Sequence, residues 1–267
     1  MTVVQVGEIE LDYERSGAGP PLLLIMGLSG TALSWGEPFL GQLRQDFDVI
    51  AYDHRGIGAS SHLDGPITIR ELAADAAGLL EALELDSAHV LGISMGGMIA
   101  QELALAHPER IRTLALGCTY CGGPGSVRAS EEVWARVIGA GRSGDRELVM
   151  RTMWEINVSA AFAADERERQ RFVERALSRR VAVAVIEQQA RAAAAHDTSS
   201  RLGEIELPTL VIHGTEDQMI PVSNGHMIAQ LIPGARLEIL DGVGHMFFLE
   251  RPERSAELLR AHVAVHA

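Results

Sequence analysis

Runs of uninterrupted apolar residues alternate with longer stretches of helical spacing through the first half of the chain. Leu22-Leu23-Leu24-Ile25 and Val49-Ile50-Ala51-Tyr52 contain no charged position, the pattern of strands buried on both faces. Residues 3–6 and 9–13, parted by Gly7, read as an opening antiparallel hairpin. Between the apolar runs, residues 35–47 have helix-like spacing, and residues 69–85 place Leu72, Ala76, Leu79, Leu80 and Leu83 on one helical face. The alternation continues with a strand at 89–91, a helix at 95–106 and a strand at 111–116. Repeated βαβ units of this kind predict a mostly parallel sheet covered by helices.

That rhythm stops at Gly122-Gly123-Pro124-Gly125, a loop signal. Residues 129–199 are rich in Ala and Arg, have helical composition and offer no strand. The βα pattern returns with a strand at 209–214, a helix at 223–231, a strand at 236–240 and a last helix from about Pro252. The expected organisation is one α/β core built from residues 1–121 and 203–267, with residues 122–202 inserted as a helical cap. The charged run from Asp165 to Arg171, with Arg175 beyond it, is expected to form a solvated helix face.

Composition narrows the function classes. The 267 residues are 47% hydrophobic and 22% charged, an ordinary globular balance with material for a full core. A formal charge of −13 opposes any phosphate-tracking surface, so nucleic acid is excluded as a partner and neutral small molecules are favoured. The apolar stretches fall well short of the roughly 18 residues that a membrane span needs, and the first residues lack a basic segment followed by an apolar one. A cytoplasmic protein with no membrane partner is expected, as a monomer or homodimer. Cys118 and Cys121 are the only cysteines, which rules out a disulfide framework. Their C-x-x-C spacing closes a strand rather than opening a helix, so redox or zinc chemistry is disfavoured and the pair is expected at the entrance to the cap.

The candidate chemistry lies at strand ends. Gly92-Ile93-Ser94-Met95-Gly96-Gly97 follows a predicted strand and precedes a predicted helix, which gives its G-x-S-x-G string the context of a nucleophile elbow. A serine hydroxyl is a poor nucleophile at neutral pH and needs an imidazole base oriented by a carboxylate. Of ten histidines, His245 sits in the loop after the last predicted strand, as Gly244-His245-Met246. Asp217, in Thr215-Glu216-Asp217-Gln218, follows the penultimate strand and is preferred to Glu216 as the acid. Asp241 is a competitor, too close in sequence to His245 to rank first. His54 is read as a loop brace, and His213 as a residue that packs or orients the acid loop.

With these stretches in view, the chain resembles the α/β-hydrolase superfamily over essentially its whole length. Tyr52-Asp53-His54-Arg55-Gly56-Ile57-Gly58-Ala59-Ser60 looks like the family's D-x-R-G-x-G-x-S loop, and His107-Pro108-Glu109-Arg110 and Glu250-Arg251-Pro252-Glu253 look like its later landmarks. Residues 26–35, 53–60 and 94–101 look most similar to the branch holding 3-oxoadipate enol-lactonases and cofactor-free haloperoxidases. The resemblance implies a mostly parallel eight-stranded sheet with an inserted helical cap. It also implies a Ser94-Asp217-His245 triad and an oxyanion hole made by the Met95 amide and one amide of the loop after the third strand. Where the family usually opens that loop with His-Gly, this chain reads Met26-Gly27-Leu28-Ser29-Gly30; Leu28 is assigned as the donor, with Ser29 as an extra one.

The implied reaction is acyl transfer to Ser94 from a small neutral ester or lactone, with no metal or organic cofactor. Perhydrolysis, carbon–carbon bond hydrolysis and slow-turnover ligand binding are the alternatives that the same residues allow. Serine at the elbow sets the chain apart from dehalogenases and epoxide hydrolases of this fold, which attack with a carboxylate. Met26, Gly27, Ser29, Met153, Trp154, Met219 and Met246 are the candidate pocket residues, with Trp134 also within reach of the site from the cap.

Overall fold

The computed structural model describes residues 2–266. Eight strands form one sheet: β1 (Thr2–Val6), β2 (Ile9–Gly17), β3 (Pro21–Ile25), β4 (Asp48–Tyr52), β5 (Ala88–Ile93), β6 (Ile111–Gly117), β7 (Thr209–Gly214) and β8 (Arg236–Leu240). Their spatial order is β1-β2-β4-β3-β5-β6-β7-β8, as expected of a mostly parallel sheet. The opening hairpin pairs Val6 with Ile9, and β2 runs on to Gly17 to pair antiparallel with β4, an extension that the polar residues after Tyr13 concealed. All the remaining pairings are parallel.

The parallel strands alternate between two cores. Leu23, Ile25, Val90, Leu114, Leu116 and Val211 face one side, under α2 (Ile69–Ala82) and α3 (Met95–Ala106). Leu22, Leu24, Leu91, Ile93, Ala115 and Ile212 face the other, together with Phe39 and Leu43 of α1 (Glu37–Leu43). Every residue of β3, β5 and β7 is buried, which explains why β3 reads as an unbroken apolar run. α1 is shorter than the helical spacing of 35–47 suggested. Residues Ala32–Trp35 form a 3-10 turn that Gly36, at φ 73°, ends, and Pro38 then opens the helix.

Five helices lie between β6 and β7: α4 (Glu131–Ser143), α5 (Arg146–Asn157), α6 (Ala160–Ala163), α7 (Glu166–Ser178) and α8 (Val183–Ala195). Side chains of Ser130, Asp145, Ser159 and Asp165 cap four of them by accepting first-turn amides. Trp154 is fully buried inside this insertion against Phe162 and Phe172, at 5.5 Å from each ring, and its Nε1–H donates to Ala163 O. It is a core residue of the insertion, not a pocket wall. Trp134 is 45% exposed on α4. Glu166–Arg169 and Glu168–Arg171 pair along α7, but Arg175 is only half-exposed and packs beside Gly36, so it leaves the solvated face to which the charge run assigned it. No helix among the described residues is long and apolar enough to cross a membrane.

The chain ends with α9 (Ser223–Leu231) between β7 and β8, then α10 (Phe247–Glu250) and α11 (Pro252–Val265), the last lying against α1.

His89, His196 and His262 are buried, and burial above all lowers each to about 4. Their unfolded counterparts take up protons near 6.5, so the unfolded chain binds more protons than the folded one between those values. Stability from these residues is therefore complete above about pH 7 and is lost as pH falls toward 4. Thermal melts should give a Tm that is level from pH 8 to 7 and declines from 6.5 to 4.5, with a shallower decline in His196→Gln; a Tm constant across the lower interval would contradict this account.

Candidate active site

The residues singled out at strand ends all follow the carboxyl ends of parallel strands and so gather at one edge of the sheet. Ser94 sits between the last residue of β5 and the first of α3, at φ 55° and ψ −124°. A serine costs energy in this region and stays there only because its surroundings enforce it. Its amide donates to Gly117 O at 3.0 Å, and its carbonyl accepts from Gly97 N and from Thr119 Oγ1 at 2.9 and 2.7 Å. The turn is tight enough that a Cβ on Gly96 would fall 2.0 Å from Ile25 O, and one on Gly92 would fall 2.2 Å from Gly96 O. The glycines around the serine thus let the start of α3 press onto the ends of β3 and β5. Ser94 is half-exposed among buried neighbours, and Met95 opens α3, where a backbone N–H has no acceptor within the helix.

Asp217 is buried and four donors surround it. Oδ1 accepts from Met219 N and Ile220 N at 2.9 and 2.8 Å, while Oδ2 lies 2.7 Å from His245 Nδ1 and 3.3 Å from His213 Nε2. Burial alone would raise its pKa, but the His245 and His213 rings and the hydrogen bonds reverse that and hold the carboxyl well below the usual carboxylate range. With Asp217 ionised, the proton on His245 is fixed at Nδ1 and Nε2 is left as the basic nitrogen. The neighbouring carboxylates have other partners. Glu216 accepts from Ala160 N at the start of α6, and Asp241 is paired with Thr215 Oγ1.

His213 Nε2 is 2.7 Å from Ile220 O, which can only accept, so that nitrogen carries the hydrogen and the ring braces the acid loop. His54 does the same for the loop after β3: its Nε2–H donates to Met26 O at 2.9 Å, and the ring is buried. In that loop Gly27 makes the closest approach to the serine, since a Cβ there would lie 2.9 Å from Ser94 Cβ and 3.4 Å from its Oγ. Leu28 is half-buried next to it. The Ser29 amide donates to Gln189 Oε1 on α8 at 2.8 Å, which corrects its assignment as an extra oxyanion donor. Met26 is buried, with its side chain occupying the space beside Gly30; Met219 and Met246 are half-buried, and Met153 packs with Val133 and Ile156 of the insertion. A cavity of about 280 Å³ opens between α4 and the acid loop, lined by Val133, Arg136, Asp217 and Gln218.

The cysteines do not line the entrance to the insertion. Cys118 is fully buried and Cys121 nearly so. Cys118 Sγ lies within 4.8 Å of ligand atoms of Asp217 and His245, the one potential metal-binding trio among the described residues. Burial pushes the Cys118 thiol up, the Asp217 charge adds to this, and His245 Nδ1 is committed to Asp217. A neutral thiol is a poor metal ligand, so the trio reads as packing beneath the acid–histidine pair.

Glu250 is the residue whose part the sequence did not disclose. It was legible only as a family landmark, yet its buried Oε1 accepts from Gly244 N and Ser159 N at 2.8 and 2.9 Å, and Oε2 accepts from Ser159 Oγ at 2.5 Å. With Met246 N donating to Asn157 O at 2.8 Å, the loop carrying His245 is tied on both sides to the end of α5. Arg179, beyond α7, adds a second tie by bonding to the buried carboxylates of Asp12 and Asp53.

Comparison with known proteins agrees with this architecture. Residues 20–252 match the family described as alpha/beta hydrolase fold. The chain is 34% identical over 260 residues to a putative carbamate hydrolase RutD of Azorhizobium caulinodans, covering 95% of this chain and 94% of that one. It is 30% identical to 3-oxoadipate enol-lactonase 2 of Acinetobacter baylyi, covering 92% and 90%. A solved hydrolase from Pseudomonas aeruginosa superposes with a TM-score of 0.84 at 31% identity, covering 98% and 97%. The chain belongs to the α/β-hydrolase superfamily and is a hydrolase of that superfamily.

The approach of Gly27 to Ser94 gives a test of the site's geometry. Gly27→Ala should lower kcat/KM for any accepted substrate by about 10- to 100-fold, because displacing a reacting group by roughly 1 Å is that costly. Its Tm should fall by only about a few degrees. Unchanged kinetics would show that the loop stands clear of the site or that Ser94 takes no part in it.

Proposed function

We propose that the protein hydrolyses small neutral carboxylic esters or lactones through an acyl-enzyme on Ser94. The observation that carries this reading is the buried Asp217–His245 hydrogen bond of 2.7 Å, formed by loops at the same sheet edge as the strained Ser94. In the proposed reaction Ser94 Oγ attacks the carbonyl carbon as His245 Nε2 takes its proton. Asp217 stabilises the imidazolium through Nδ1–H. The Met95 and Leu28 amides hold the oxyanion of the tetrahedral intermediate. Collapse breaks the C–O bond, with His245 returning the proton to the leaving alkoxide. Water, deprotonated by His245, then releases the acid and restores Ser94.

The helical insertion acts as the lid of this site. Half-buried Met219 and Met246 beside the acid and the base supply adaptable apolar wall, which suits a neutral acyl or alcohol group. The names of the relatives, a carbamate hydrolase and an enol-lactonase, describe acyl substrates of the same general kind. A panel of p-nitrophenyl esters, lactones and carbamates, scored by kcat/KM, discriminates among them.

Ser94→Ala should lower kcat on the best substrate by about 10⁴-fold or more, and undiminished turnover would overturn the assignment. Asp217→Asn should keep the fold yet lower kcat by three to four orders of magnitude, roughly the loss caused by an unfixed histidine tautomer. A much smaller loss would mean that another group orients His245.

A further inference from the structure

The apolar groups at the surface are unevenly placed. Of the eight large hydrophobic side chains exposed among the described residues, six belong to the insertion: Val127, Trp134, Ile138, Leu148, Leu177 and Val183. Trp134 and Ile138 share one face of α4 at i, i+4 spacing and are 45% and 49% exposed, whereas Trp35 and Trp154 are fully buried. The inward face of the same helix is supplied by Val133 and Ala140. Along the outer face the order is Glu131, Trp134, Ile138 and Arg142, at i, i+3, i+7 and i+11, which is a single line on an α-helix. A Cβ at Gly139 or Gly141, on the flanks of that line, would meet nothing within 4 Å, so no described part of the chain covers the face. Glu131 and Arg142 are exposed, and among the described residues neither has an ion-pair partner. The helix dipole by itself favours an acid in the first turn and a base in the last. It gives no reason for a tryptophan and an isoleucine in water between them, and an apolar pair rimmed by charge is the pattern of a contact surface.

The line is self-complementary when reversed. Laid antiparallel on a second α4, about a two-fold axis level with Arg136 and Val137, Glu131 of one copy faces Arg142 of the other and Trp134 meets Ile138. A parallel arrangement would set like charge on like. Charge also selects this surface over the rest of the molecule. Residues 122–202 hold 13 arginines against 11 carboxylates while the whole chain carries −13, so the negative excess lies on the α/β core. That excess repels a second core but not a second insertion. We infer that the exposed face of α4 is the contact surface of a homodimer, formed by antiparallel packing of α4 on its copy with Trp134 as the apolar anchor. One helix pair covers less than the roughly 800 Å² per partner of a standard interface, which sets the dissociation constant in the micromolar range.

Sedimentation velocity of the full chain from about 2 to about 200 µM brackets that range. The wild type should pass from monomer to dimer across it. Trp134→Ala, Arg142→Glu and Glu131→Arg should each weaken dimerisation about tenfold or more, since the two-fold axis makes every lost contact a double loss. Glu131→Arg combined with Arg142→Glu should regain wild-type association, because the exchanged charges again face each other across the axis. Acrylamide quenching of tryptophan emission supplies a second readout. With Trp35 and Trp154 buried, it reports on Trp134 and should fall as the wild type is concentrated. All three side chains are exposed, so each variant should keep the wild-type Tm. A wild type that stays monomeric at the highest concentration would overturn the inference and leave the face to a partner other than this chain. Dimerisation that ignores all three single substitutions would overturn it as well, and a charge-exchanged double variant that remains monomeric would overturn the antiparallel pairing.

Discussion

The site depends on a single steric condition: the first turn of α3 must lie against the ends of β3 and β5 with no side chain between. At Gly96 the space that a Cβ would need is already taken by a carbonyl oxygen of the neighbouring strand, 2.0 Å away. Gly92 and Gly97 meet the same restriction from the α3 backbone and from Thr119. This contact forces the chain to reverse within one residue, and Ser94 takes the positive φ that results. The same closeness brings Gly27 onto the serine, so Ser94 and the loop after β3 are positioned by one packing event.

Asp217 and His245 are held by a different device. Both lie on loops, but neither loop is free: Asp217 is fixed by two amides of its own turn and by the rings of His213 and His245, and His245 is flanked by amides bound to Glu250 and Asn157. The partners of the loop carrying His245 come from the end of α5 and the start of α6, so the inserted helices contribute to the shape of the site even where they line no pocket. Arg179, reaching Asp12 and Asp53, and Gln189, reaching Ser29, extend these ties to the amino-terminal half of the sheet.

Much of this was legible in the sequence because the relevant signals are local. Buried parallel strands declare themselves as apolar runs, and a glycine-flanked serine between strand and helix marks its own turn. Histidine and aspartate could be chosen by their place after particular strands. What could not be read depends on partners distant in sequence. Trp154 looked like a pocket aromatic because nothing local shows that Phe162 and Phe172 enclose it. Cys118 and Cys121 were expected at the entrance to the cap because C-x-x-C spacing does not reveal burial. Ser29 looked like a free donor because its acceptor is 160 residues away. Glu250 and Ser159 are each unremarkable until the fold brings them to 2.5 Å.

That last contact bears on how such a protein can diversify. Because one buried carboxylate holds both the loop carrying His245 and the segment between α5 and α6, the inserted helices are not an interchangeable module. An insertion borrowed from another sequence would have to arrive with a donor at the position of Ser159, or leave a buried charge short of partners and the loop carrying His245 slack. Variation in substrate preference is therefore easiest on faces of the insertion remote from this junction, while the junction itself is inherited as a unit.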